Sequence, residues 1–70
     1  MDGKQLRLMR AWRAMTQAEL ENATGIDAAI ISKIEGGYVL PTPEIEAAIR
    51  EALAWPDNAD EAFALLETAN

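Results

Sequence analysis

Side chains able to hold an anion are few in this chain, and they fall at the starts and outer turns of short helical stretches. Gln17, in "TQAE", stands at an exposed helix start, where free backbone amides and the positive dipole end favour a phosphate. A plain helix-forming glutamine in a first turn is the alternative for it. Lys33, in "DAAIISKIEGG", can reach a phosphate, and Tyr38 follows the same stretch. Catalytic chemistry has much less to work with. There is no histidine and no cysteine, which removes the commonest general base, the thiolate nucleophile and the usual zinc ligands. Ser32 and Lys33 are adjacent, a spacing that points them in different directions on a helix. The acids are spread along the chain without a calcium-loop pattern. An enzyme is not expected, nor a metal or another cofactor.

The elements that must position these residues are helices. No segment alternates with period two, and alanine, leucine, glutamate and arginine dominate. Asp2 with Gln5 three residues on forms a capping box for a first helix from about Gly3 to Ala14, with Leu6, Met9 and Arg13 on one face and Arg10 beside them. Thr16 with Glu19 repeats the box, and this second helix stops at Gly25, the residue best able to take the left-handed conformation. Asp27 caps a third helix, with Ile31 and Ile34 one turn apart, until Gly36 and Gly37 end it. In "PTPE" Thr42 caps a fourth helix with Pro43 at its first position, and Ile45, Ile49 and Leu53 line up at spacing four. After "WPDNADE" a fifth runs from about 58 to 68, with Ala62, Phe63, Leu66 and Ala69 as its apolar side.

Seventy residues make one domain, 1–70, near the lower limit for a core without a disulfide or metal. No apolar run is long enough for a bilayer and no secretory signal opens the chain, so a cytoplasmic setting with no membrane contact is expected. The net charge of −6 is unevenly placed. Residues 1–35 are neutral, with Lys4, Arg7, Arg10, Arg13 and Lys33 against Asp2, Glu19, Glu21, Asp27 and Glu35. The whole −6 falls in residues 36–70. These acids read either as solvated helix faces or as a surface for a partner.

Residues 6–53 resemble the phage repressor and Cro family of helix-turn-helix proteins, also called the Xre family, through "TQAEL", the "TGI" turn, "IISKIEGG" and the proline before the fourth helix. The resemblance implies an all-α, compact five-helix, lambda-repressor-like fold, with the helix-turn-helix motif at about 16–35. It implies a transcriptional regulator, bacterial or phage in origin, that binds double-stranded DNA as a homodimer with its third helix in the major groove. The implied DNA contacts are Gln17, Asp27, Ala28, Ala29, Ile30, Lys33 and Tyr38, with Arg13. It also implies an ion pair between Arg10 and Glu35, which would resolve the cost of a lone charge on the inward side of the first helix.

The sequence departs from that pattern on the reading face. Ala28 and Ala29 stand where the family carries polar side chains, and Ile30 where it carries a small hydroxyl. Alanine reaches only a thymine methyl and offers no hydrogen bond to a base. Glu21 occupies a position usually held by alanine, so it either pushes the two helices apart or puts a carboxylate at their edge. Ala14 replaces a glycine at the end of the first helix. A second function class therefore stays open: a protein-docking module using the apolar third helix with Val39 and Leu40. Leu8 and Trp12, spaced by four, are either covered by the fifth helix or exposed at a subunit contact, and for Trp12 the core is the expectation. Phe63, Leu66 and Ala69 are a further candidate dimer seam.

Overall fold

Four helix starts are closed by a side chain that takes up a free amide. In the computed structural model, which describes residues 1–68, α1 is Gly3–Trp12, α2 Gln17–Thr24, α3 Ala28–Glu35, α4 Pro43–Ala52 and α5 Ala59–Thr68, with no strand among the described residues. The Asp2 carboxylate accepts from the Gln5 amide at 2.8 Å and the Gln5 side chain accepts from the Asp2 amide at 3.0 Å. Thr16 and Glu19 make the same reciprocal pair at 3.0 and 2.9 Å. Asp27 accepts from the Ala29 amide, and Thr42 from that of Ile45 ahead of Pro43. α1 ends two residues sooner than the sequence pattern predicts, because Ala14 turns left-handed at φ 54°.

Leu6 and Met9 of α1, Leu20 of α2, Ile31 and Ile34 of α3, Ile49 of α4, then Leu53 and Ala59, form the core. α2 packs on both α3 and α4, while α1 packs on α3. The approach of α1 to α3 is close enough to exclude a side chain at Gly3, where a Cβ would run into the backbone carbonyls of Ile34 and Glu35. α5 is tied back through Asp60, whose carboxylate takes Arg50 at 3.3 Å and the Trp55 indole N–H at 3.3 Å, while Trp55 packs on Phe63 with centroids 5.9 Å apart.

The placement of Trp12 corrects the sequence expectation: it is 70% exposed, and Leu8 is 52% exposed. Across from them α5 carries Ala59, Ala62, Phe63 and Leu66, and an open groove is left between the two helices. Arg13 holds the ring at the rim, its guanidinium 5.3 Å from the Trp12 centroid. Of the candidate seam residues, Phe63 is half-buried and Leu66 exposed; Ala69 lies outside the described residues.

Candidate nucleic-acid interface

The turn between α2 and α3 is set by two local features. Gly25 takes φ 77°, which a side-chain-bearing residue adopts only at a cost, and the Thr24 hydroxyl donates to the Leu20 carbonyl at 2.7 Å while accepting from the Ile26 amide at 3.1 Å. Ile26 packs against the core beside Leu20 and Ile31. α3 therefore has one inner and one outer side. Ile31, Ile34 and Glu35 are buried, whereas Ala29, Ile30, Ser32 and Lys33 are exposed and Ala28 is half-buried. Tyr38 and Leu40 extend the exposed side beyond the helix, with Val39 between them.

One carboxylate organises the other end of the motif. Glu35 accepts from Arg10 Nε at 2.7 Å and Arg10 Nη2 at 3.0 Å, a bidentate pair, and from Gln17 Nε2 at 3.2 Å. Arg10 Nη1 also donates to the Met15 carbonyl at 2.9 Å. Arg7 stands 3.6 Å from the same carboxylate and is otherwise exposed. Burial works to raise the Glu35 carboxyl, but the hydrogen bonds from Arg10 and Gln17 and the charges of Arg10 and Arg7 outweigh it. They hold it below the ordinary carboxylate value. α1, the start of α2 and the end of α3 are joined at this point.

The amino end of α3 is closed by acids. Glu21 Oε1 accepts from the Ala28 amide at 2.8 Å, and Asp27 Oδ1 from the Ala29 amide at 2.8 Å. The Ile30 amide donates to the Asp27 carbonyl at 2.9 Å. No amide of Ala28, Ala29 or Ile30 is left for an external phosphate, and two negative charges stand where the helix dipole would attract one. Of the two outcomes open for Glu21, the structure has the carboxylate at the helix edge.

The candidate contacts thus divide. Ala29, Ile30, Lys33 and Tyr38 share the open side around α3, with Ala28 at its margin. Gln17 sits at the start of α2 with its amide nitrogen on Glu35, and Asp27 serves as the cap of α3. Arg13 goes elsewhere: its Nε donates to the Leu53 carbonyl at 2.7 Å and its Nη2 to the Ala54 carbonyl at 2.8 Å, closing the end of α4. Two residues were missed by sequence reasoning. Ser32, on the open face, was legible, lying three residues from Ala29 on the outer stripe; Arg7, beside Glu35, had no signal apart from its charge.

Among the described residues no helix is long and apolar enough to cross a membrane. A family model described as a helix-turn-helix domain matches residues 3–62. No curated protein and no solved structure gives a significant match to the chain. The match takes in α1 to α4 and the start of α5, and α2, the Gly25 turn and α3 supply the motif itself: the chain belongs to the helix-turn-helix domain family.

Proposed function

We propose that this chain binds double-stranded DNA as a transcriptional regulator of the repressor and Cro type, with α3 laid in the major groove. The observation that carries the reading is the division of α3, which is anchored through Ile31, Ile34 and Glu35 and open along Ala29, Ser32 and Lys33. A single helix presented in this way is what the roughly 12 Å major groove admits. Lys33 and Tyr38 reach phosphates or, for Lys33, a guanine. Gln17 keeps a second N–H on the nitrogen that bonds Glu35, free for a phosphate. Ala28, Ala29 and Ile30 offer methyl contacts to thymine, so sequence preference rests largely on DNA shape.

A second reading has its own observation. Ile30 on α3 and Tyr38, Val39 and Leu40 beyond its carboxyl end are exposed and largely apolar, while the amino end of α3 is closed by Glu21 and Asp27. That surface fits the docking of another protein. Salt separates the two. Fluorescence anisotropy on duplexes from the chain's own upstream region should give an affinity that falls steeply with ionic strength. Lys33→Ala should reduce the log–log slope by about one if the ammonium sits on a phosphate. If it reads a guanine, discrimination at one base pair should relax by roughly 1–3 kcal/mol with little change of slope. No binding to upstream DNA, together with a protein complex that persists in about 0.5 M salt, would overturn the DNA reading in favour of the second.

A further inference from the structure

Three of the six basic side chains are engaged inside the fold. Arg10 is held by Glu35, Arg13 by the Leu53 and Ala54 carbonyls, and Arg50 by Asp60. Lys4, Arg7 and Lys33 stay exposed. Of these, Arg7 alone approaches an acid among the described residues, and that acid is already satisfied. Glu35 takes Arg10 at both oxygens and Gln17 at one. Arg7 Nε comes only to 3.6 Å from Oε1, beyond hydrogen-bond length, and 65% of its side chain is exposed. No described residue accepts a hydrogen bond from Arg7.

We propose that Arg7 and Gln17 together clamp one backbone phosphate of the bound duplex, with Glu35 as the residue that positions both; the proposal rests on the DNA reading. Charge supports it first. Two guanidinium groups against one carboxylate leave a single surplus positive charge where α1, the start of α2 and the end of α3 meet. A phosphodiester carries a single negative one. Position supports it next. Arg7 Nε and Gln17 Nε2 lie 3.6 and 3.2 Å from the same oxygen, Glu35 Oε1, so they are within about 7 Å of each other. One phosphate spans that separation with a hydrogen bond to each donor.

The two donors differ in kind. Arg7 supplies a charge-assisted bond, and Gln17 a neutral one through the N–H that Glu35 does not use. The bond to Glu35 fixes which way the Gln17 amide nitrogen points. Arg7 gives up little in turning to a phosphate, because an exposed contact at 3.6 Å stabilises the fold only slightly. The helix that carries it is already in place. Gly3, Arg7 and Arg10, at spacings of four and three, lie along one face of α1, and that face packs on α3. Residues 36–42, which follow α3, hold no basic side chain, so α1 supplies the phosphate-binding charge that this stretch lacks. Such a contact fixes the register of α3 on the duplex without reading a base.

Anisotropy titrations of the full chain on one upstream duplex, repeated across a salt series, test it. Arg7→Ala should lower the log–log slope by about one and weaken binding roughly five- to tenfold in about 0.1 M salt, equally on every sequence. Arg7→Lys should keep the slope. Urea midpoints of both variants should match the wild type, since the side chain is exposed. Gln17→Ala should weaken binding with no change of slope, because a neutral amide displaces no counterion. Its effect should shrink in the Arg7→Ala background if the two share a phosphate. Neutral methylphosphonates placed one at a time along each strand then locate that phosphate. At one position the wild type should lose as much as Arg7→Ala does, and Arg7→Ala should lose nothing more. A full slope in Arg7→Ala, with the wild type still binding, would overturn this proposal and leave the DNA reading intact. Strictly additive losses from Arg7→Ala and Gln17→Ala would overturn the shared clamp. A wild type that binds no duplex at any salt would overturn the DNA reading, and the clamp with it.

Discussion

Replacing Arg10 by alanine removes three hydrogen bonds, two of them to the buried Glu35 carboxylate and one to the Met15 carbonyl. Breaking one side of a buried ion pair typically costs about 3–5 kcal/mol, because the other charge is left behind. The surroundings of Glu35 place the loss at the lower end. Gln17 stays bonded at 3.2 Å, and Arg7, at 3.6 Å, needs only a small movement to become a direct partner. We expect about 3 kcal/mol for Arg10→Ala and nearer 5 kcal/mol for Arg10→Ala with Arg7→Ala. A chain of this length has a total stability of only about 4–10 kcal/mol, so the double variant should lose about half of it or more. Urea melts of the wild type, Arg10→Ala, Glu35→Ala and the combination give the coupling as a double-mutant cycle. A coupling energy near zero would refute the reasoning, since it would mean the two side chains contribute independently.

The same carboxylate predicts a pH dependence. Its value is lower folded than unfolded, so its contribution is fully present above the ordinary carboxylate range and fades as pH falls through the folded value. The stability gap between wild type and Arg10→Ala should accordingly narrow below about pH 4, read by melts across an acid series. Glu21→Gln keeps an acceptor for the Ala28 amide while removing a charge from the amino end of α3. If DNA lies there, one charge at about 7 Å from a phosphate is worth roughly 0.6 kcal/mol, a gain of about threefold per copy in low salt. Unchanged affinity in an anisotropy titration would argue that α3 does not enter the groove by that end. Gly3→Ala should force α1 away from the Ile34 and Glu35 carbonyls at a cost of about 2 kcal/mol, seen as a fall in Tm of roughly 8–16 °C. A Tm within a few degrees of the wild type would mean that this approach is not tight in solution.

What the sequence made legible was local. The boxes at Asp2 and Thr16, the caps at Asp27 and Thr42 and the left-handed Gly25 each involve residues within four positions of one another, and all are found where the spacing predicts them. Helix limits drifted by a residue or two, as at Ala14. The losses came from contacts that cross the chain. Arg13 meets carbonyls forty positions away, at Leu53 and Ala54, and no spacing rule announces that. The exposure of Trp12 depends on how α5 lies against α1, a relation between distant stretches of the chain. Glu21 spans only seven residues to Ala28, yet the contact runs across a turn whose angle the sequence does not print.

Because both ends of α3 are held by side-chain acids, Glu21 and Asp27 at one and Glu35 at the other, the helix does not rely on its own propagation. Eight residues are far too few for an isolated helix in water. The backbone amides of Ala28 and Ala29, though near the surface, should therefore exchange with deuterium slowly, at rates set by opening of the whole motif. Whatever α3 binds, it meets a surface already in its final shape. Association should then proceed as rigid docking, with no ordering penalty for this helix and a heat-capacity change that reflects only the area covered.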